Sequence, residues 1–97
     1  RTPDLVTRLS VGHHHLDMNR HVNNVVYIEW MTGFIQDLME PSAVCTEMKI
    51  QYHRECSYGQ SVLIKTSRLS NSNLLHVVCD EESGTILAEG ISGWRSY

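Results

Sequence analysis

The sequence of 97 residues lacks the features that mark several classes of protein. It has no apolar run long enough to span a bilayer, and its first residues, RTPDLVTR, lack the apolar core of a secretory signal. It has no excess of basic residues, since 8 Lys and Arg against 11 Asp and Glu give a formal net charge of −3. That balance argues against a general nucleic-acid binder. With no repeat and 41% hydrophobic residues, the chain is expected to form one globular domain.

Cysteine is also scarce, and its three positions show no Cys-x-x-Cys spacing. An odd number without that spacing suits a reducing compartment better than a disulfide framework. The histidines 13–15 invite a metal interpretation, because His13 and His15 would share one face of a strand. Zinc sites usually need three or four ligands, and no clean further set follows in the sequence. We therefore expect no metal, no cofactor and a solvated strand at this point.

Hydrophobic periodicity predicts the first strand and a long helix. Residues 5–11 alternate in the manner of a strand. From residue 24 to residue 40 the polar side chains form one stripe at helical spacing, and apolar side chains fill the rest. Asn23 or Asn24 is suited to cap the start of this helix, and Pro41 is expected to end it. An apolar face this wide implies that other elements wrap the helix.

Four further strands are predicted after the helix. Val44, Met48, Ile50 and Tyr52 alternate with polar residues, which is typical of a long half-buried strand. The turn segments SYGQ, SNSN and EESG separate it from strands over 61–69, 74–79 and 85–95. Because short turns favour antiparallel neighbours, we predict one curved sheet around one helix. That order indicates an α+β hotdog fold, in which about five antiparallel strands wrap a long central helix.

Three separated pieces of the sequence resemble one family. The segments LDMNRHVNNVV and YIEW, followed by YHREC, are similar in order and spacing to the fatty acyl-ACP thioesterases of plants and their bacterial relatives. The resemblance covers residues 1–97 as a single hotdog domain and corresponds to the second, C-terminal unit of that family. It implies either a homodimer or pairing with a first hotdog unit in a longer chain. It also implies the plastid stroma for a plant or algal protein, or the cytoplasm for a bacterial one.

The resemblance assigns roles to a polar segment. Asp17, Asn19 and His21 occupy alternate positions and would share one side of an extended chain. Spacing alone favours a polar loop in which an asparagine caps the helix, and the family resemblance reverses that preference. By resemblance, Asp17 supports the site, while Asn19 and His21 position and polarise a thioester. Backbone N–H groups at the helix start, near Asn23 and Asn24, would add oxyanion stabilisation.

Two mechanisms follow from the adjacent pair Glu55 and Cys56. The resemblance makes Glu55 the carboxylate that activates water, whereas Cys56 matches a cysteine once assigned as a nucleophile. From the residues alone, a surface glutamate next to an inert thiol is the ordinary alternative. Strict alternation conflicts with the first role, because it turns Glu55 away from Met48 and Ile50. Either a bulge near residue 54 or exposure of that face at a dimer seam would resolve the conflict.

These observations predict hydrolysis of fatty acyl thioesters, with acyl-ACP as the expected substrate, no nucleic-acid partner and no membrane span. An acyl-CoA thioesterase of the same fold is the nearer alternative, and a non-catalytic acyl-binding or assembly module is the farther one. An acidic carrier protein would need basic side chains on the surface. The candidates are Arg8, Arg20, Lys49, Arg54, Lys65 and Arg68. The sequence departs from the family at His53, where an arginine is usual.

Overall fold

The computed structural model describes residues 2–18, 22–35 and 38–96. One α-helix and five strands follow one another in the order that the sequence predicts. They are β1 (Leu5–Ser10), α1 (Asn24–Thr32), β2 (Ala43–Tyr52), β3 (Ser61–Arg68), β4 (Asn73–Asp80) and β5 (Ile86–Ser96). Every predicted strand agrees with an observed strand to within one residue at each end, because alternation marks β1 and β2 and turn residues bound the later three strands.

The strands form one antiparallel sheet in the order β1-β3-β4-β5-β2. The short turns between β3 and β4 and between β4 and β5 join neighbours, as predicted. The prediction was wrong for β2 and β3, which follow each other in sequence but are separated in the sheet by β4 and β5. The neighbours of β3 are β1 and β4, so residues 53–60 must carry the chain across the end of the sheet instead of forming a hairpin.

The helix packs on one face of this sheet and provides the largest side chains of the core. Tyr27, Trp30 and Met31 are buried, in one cluster with residues of β3, β4 and β5 that include Ile64 and Val78. Burying a side chain such as Met31 contributes about 1.5–3 kcal/mol to stability. Gly90 permits the close approach, because a Cβ atom there would lie 2.7 Å from the Met31 sulfur. A sheet packed around one helix confirms the predicted fold class.

The helix is shorter than predicted. It ends at Thr32 after nine residues and does not continue to residue 40. Thr32 donates its hydroxyl hydrogen to the carbonyl of Ile28 at 2.7 Å, and Gly33 follows at once. A threonine that bonds back to the preceding turn and a glycine of low helix propensity together disfavour another turn. At the other end the structure distinguishes between the two predicted caps, since Asn23 Oδ1 accepts the N–H of Val25 at 2.8 Å.

Two smaller predictions were also wrong. The register of β2 against β5 shifts between Cys45 and Glu47, which reverses the alternation there and leaves Val44 exposed instead of facing inward with Met48. The histidines 13–15 form a 3₁₀ turn rather than a strand. The backbone N–H of Gly12 donates to Nδ1 of His15 at 2.9 Å, a local side-chain bond that favours a turn over strand pairing.

Candidate active site

A cleft of about 520 Å³ opens where α1 begins and β2 ends. It brings together four of the residues that the sequence singles out, although they come from three separate segments of the chain. They are Asp17 from the loop before the helix, Asn23 and Asn24 at the helix start, and Glu55 just after β2. Two further predicted site residues, Asn19 and His21, lie outside the described residues.

The direction of Glu55 is set by an irregularity in the backbone. The N–H groups of His53 and Arg54 both donate to the carbonyl of Leu87, at 2.8 and 3.1 Å. Two residues opposite one is the pattern of a β-bulge, which counts as a single step in the alternation of the strand. Glu55 therefore returns to the side of Ile50 and Tyr52. Of the two explanations that the sequence left open, the bulge is the one that the hydrogen bonds support.

The helix start contributes positive electrostatic potential to the cleft. The first-turn N–H groups of a helix have no carbonyl partner within the helix, and they carry roughly half a positive charge together. The Asn23 side chain satisfies the N–H group of Val25, and the Asn23 carbonyl accepts the N–H of Val26 at 2.9 Å, which leaves the N–H of Asn24 as the first-turn donor within the described residues. Asn24 lies in the first turn, is exposed and lines the cleft. The arrangement favours an anion or a polarised carbonyl oxygen between the helix start and Glu55.

Cys56 has the environment of a structural thiol. Its side chain is 3% exposed, and its sulfur lies 3.1 Å from the hydroxyl oxygen of Tyr27. Burial raises the pKa of the Cys56 thiol, and the hydrogen bond with Tyr27 offsets only part of this effect. A nucleophilic cysteine needs the opposite, an accessible site that lowers the pKa of the thiol. Cys56 is also absent from the residues that line the cleft.

Aromatic side chains form one wall of the cleft. Tyr27 packs edge to face with Tyr52 and with Trp30, at ring-centre distances of 5.2 and 5.4 Å. Desolvation raises the pKa of both tyrosines, and the Cys56 contact raises that of Tyr27 further. Both phenols therefore remain neutral at physiological pH, and they provide hydrogen-bonding hydroxyls on an otherwise apolar surface.

Metal-binding clusters and membrane spans can be assessed only for the described ranges. Within residues 2–18, 22–35 and 38–96, no three His, Cys, Asp or Glu side chains are grouped so that they could bind one metal ion. No helix in the same ranges is long and apolar enough to cross a membrane.

Comparison with known proteins assigns the chain to a family. Residues 2–96 match the model of the acyl-ACP thioesterase C-terminal domain. The chain belongs to this family. The family that the Asp-x-Asn-x-His and Arg-Glu-Cys pieces indicate is thereby confirmed.

Individual relatives agree with this assignment. The chain is 29% identical over 84 residues to the chloroplastic dodecanoyl-[acyl-carrier-protein] hydrolase of Cinnamomum camphora, which covers 82% of this chain and 22% of that protein. The solved 12:0-ACP thioesterase from Umbellularia californica superposes with a TM-score of 0.86 at 27% identity, covering 99% of this chain and 36% of that one. A thioesterase from Thermus thermophilus, solved with coenzyme A and Zn, gives a TM-score of 0.81 at 26% identity, over 100% of this chain and 82% of that one.

The chain thus spans about a fifth of the length of the relative from Cinnamomum. This acyl-ACP thioesterase C-terminal unit also has cleft residues that sequence reasoning missed. The sequence pattern places Tyr52 in the strand and shows His53 only as a departure from the family, yet both line the cleft. His53 Nε2 lies 3.2 Å from a carboxylate oxygen of Glu89. The available signal was their position beside Glu55, at the point where alternation fails.

Proposed function

We propose that this unit forms part of an enzyme that hydrolyses fatty acyl thioesters, with acyl-ACP as the substrate and free fatty acid as the product. The observation that supports the proposal most strongly is the bulge at residues 53–54, which turns Glu55 toward the start of α1. A carboxylate and the positive end of a helix then face the same 520 Å³ cleft. Thioester hydrolysis needs both a proton acceptor for water and a stabiliser for the oxyanion.

The proposed reaction uses water as the nucleophile. The Glu55 carboxylate accepts a proton from a water molecule, whose oxygen forms a bond to the thioester carbonyl carbon. The carbonyl oxygen becomes an oxyanion, which the N–H groups at the start of α1, near Asn23 and Asn24, stabilise. The carbon–sulfur bond then breaks, the fatty acid is released, and the departing thiolate takes up the proton. Asp17 supports the site, and Asn19 and His21 position the thioester.

This proposal assigns Cys56 to packing. A thiol whose pKa is raised by burial is protonated at neutral pH and is a weak nucleophile. Its contact with the Tyr27 hydroxyl instead satisfies a polar group in the wall of the cleft. The carboxylate that precedes it in sequence is exposed to the cleft, whereas the thiol is not.

The proposed assembly is a pair of hotdog units, either two copies or this unit with a first unit of a longer chain. Edge strands have backbone groups available for pairing, and the edges of this sheet are β1 and β2. Near the cleft, β2 ends in Tyr52, which is 43% exposed. Sedimentation of the intact protein as a single hotdog unit with full activity would contradict the pairing.

The proposed partner is an acyl carrier protein. The proposed location is the plastid stroma for a plant or algal protein and the cytoplasm for a bacterial one.

A second candidate function is hydrolysis of acyl-CoA. It is favoured by the likeness to the Thermus thermophilus thioesterase, which was solved with coenzyme A. Turnover of one acyl chain attached to ACP and to CoA, measured on the intact protein, separates the two candidates. The absence of turnover with either substrate would leave the third possibility, a non-catalytic module.

Glu55→Gln tests the proposed function, because it keeps the side-chain shape and removes the proton acceptor. We expect kcat for acyl-ACP in the intact protein to fall about 10²–10⁴-fold, the usual contribution of a general base. Glu47→Gln is the matched control, since Glu47 lies on β2 but does not line the cleft. Equal activity of the Glu55 variant and the control would contradict the assignment.

A further inference from the structure

Arg54 lies on a ridge between two depressions. It lines the 520 Å³ cleft together with Glu55, and both residues also line a broader groove of about 780 Å³ on the other side. The side chain of Arg54 is exposed. The groove contains the polar residues Ser57, Gln60 and Thr85. A substrate that enters the cleft from the groove would pass directly over Arg54.

The positive charge of Arg54 is available for a ligand. Three other basic side chains contact carboxylates: Arg8 contacts Glu81 at 2.7 Å, Lys49 contacts Glu47 at 3.7 Å, and His53 contacts Glu89 at 3.2 Å. Within the described residues, no carboxylate forms an ion pair with Arg54. The exposed guanidinium of Arg54 would attract an anion to the cleft, although the carboxylates of Asp17 and Glu55 line the same cleft.

The bulge separates Arg54 from Glu55 in direction. His53 and Arg54 together occupy one step of the alternation, and His53 reaches Glu89 on the face of the sheet opposite to the helix. Consecutive steps of a strand point to opposite sides, so the side chains of Arg54 and Glu55 leave the backbone in different directions, and both line the cleft and the groove.

The carboxylate of Asp80 disfavours an anion in the part of the groove that it lines. Gln60 Nε2 donates to a carboxylate oxygen of Asp80 at 2.9 Å, and the backbone N–H of Ser57 donates to Gln60 Oε1 at 2.9 Å. Asp80 thus contributes a negative charge to the lining of the groove, and Arg54 contributes a positive charge. A substrate whose anionic group lies outside the cleft would place that group near Arg54.

The thioesters of the proposed function have this layout, because a phosphopantetheine arm carries its phosphate at one end and the acyl thioester at the other. We propose that Arg54 binds the phosphate of the phosphopantetheine arm while Glu55 faces the thioester. This inference rests on the proposed function. The planar guanidinium fork of arginine matches two phosphate oxygens at once, which lysine does not reproduce.

The test compares two substrates that differ only in the phosphate. The intact protein is assayed with one acyl chain attached to pantetheine and to 4′-phosphopantetheine. We expect Arg54→Gln to raise KM for the acyl-phosphopantetheine about 10- to 100-fold, the usual range for lost hydrogen bonds to a charged group. KM for the acyl-pantetheine should change less than about twofold, and kcat should change little with either substrate. Arg54→Lys should give an intermediate KM for the phosphorylated substrate only.

Arg95→Gln is the matched control, because Arg95 is exposed at the opposite end of the β2–β5 ladder, where it pairs with Val44. It removes the same charge without touching the cleft, so KM should stay unchanged for both substrates. Equal losses for the two substrates in Arg54→Gln, or a loss in Arg95→Gln of the same size, would overturn the inference. If the wild-type protein hydrolyses neither substrate, the proposed function itself fails.

The phosphopantetheine arm has two possible carriers, ACP and CoA. Acyl-ACP and acyl-CoA both carry the phosphopantetheine phosphate, so Arg54→Gln should raise KM for both. The wild-type ratio of kcat/KM then identifies the physiological carrier. An increase in KM for neither carrier would overturn the role of Arg54 even if both are hydrolysed.

Discussion

Two buried polar contacts in this molecule look alike and differ in what they can do. At the cleft, Cys56 contacts the Tyr27 hydroxyl at 3.1 Å. Further along the same sheet face, His76 contacts the hydroxyls of Ser92 at 2.7 Å and Thr66 at 3.2 Å. By residue type and distance alone, a Ser–His contact of 2.7 Å would pass for a catalytic pair. Both Ser92 and His76 are fully buried, however, and neither lines the cleft.

The two contacts differ in their position relative to the cleft, and they do not differ in the charge state of the titratable group. Burial raises the pKa of Cys56 and lowers the pKa of His76 to about 4, so both groups are neutral at pH 7. Trp94 donates its indole N–H to Ser92 Oγ at 2.7 Å. Ser92 can then donate to Nε2 of His76, and Nδ1–H of the neutral imidazole can donate to Thr66. The four side chains satisfy one another and stabilise the sheet.

The stability of the chain is expected to depend strongly on the protonation of His76. Its pKa in the folded state is about 4 against a reference value of 6.5, so the unfolded chain binds more protons between these values. The contribution of neutral His76 is therefore complete above pH 6.5 and is lost as the pH falls toward 4. We expect the free energy of unfolding of the 97-residue chain to fall by about 3 kcal/mol over this range through His76 alone. Urea unfolding at a series of pH values measures this loss.

His76→Gln removes the titrating group and is the control for this prediction. The variant is expected to be less stable at pH 7, because glutamine cannot reproduce both hydrogen bonds of the imidazole. Its stability should depend less steeply on pH between 6.5 and 4 than that of the wild type. Identical slopes for the two proteins would show that His76 does not titrate on unfolding.

A smaller effect is expected at Cys56. Cys56→Ala removes the thiol and leaves the buried Tyr27 hydroxyl without its partner, which should cost about 1–3 kcal/mol of unfolding free energy. Cys79→Ala is the matched control, because Cys79 is also 3% exposed, and its thiol forms no hydrogen bond to another residue in the described part of the chain. The difference between the two losses isolates the Tyr27 contact. Equal losses, measured by urea unfolding at pH 7, would mean that this contact contributes nothing beyond packing.

The sequence was sufficient for most of the sheet but not for its irregular points. The strands β3, β4 and β5 could be predicted because turn residues separate them. The end of α1 could not, since residues 33–40 continue the helical pattern although Gly33 follows the last helical residue. The placement of β2 beside β5 depends on pairings between residues far apart in sequence, which a local pattern does not contain.

Some residues of the candidate site could likewise be predicted from the sequence, but the geometry of the site could not. Asp17 and Glu55 were assigned to the site through the family resemblance and Asn23 through its position at the helix start, and all three line one cleft. The direction of Glu55 could not be predicted, because it depends on two N–H groups sharing the carbonyl of Leu87 on a different strand. The raised pKa of Cys56 likewise results from burial under α1, which only the tertiary structure determines.

We propose that the Glu55 carboxylate, which is exposed to the cleft, performs the chemistry and that the buried Cys56 thiol beside it does not. The most direct test is to compare kcat for acyl-ACP of Glu55→Gln and Cys56→Ala in the same intact protein. We expect a loss of about 10²–10⁴-fold for Glu55→Gln and, for Cys56→Ala, a loss of less than about tenfold that follows its lower stability. The reverse order, with one acyl group attached to Cys56 of the wild-type protein during turnover, would contradict the claim.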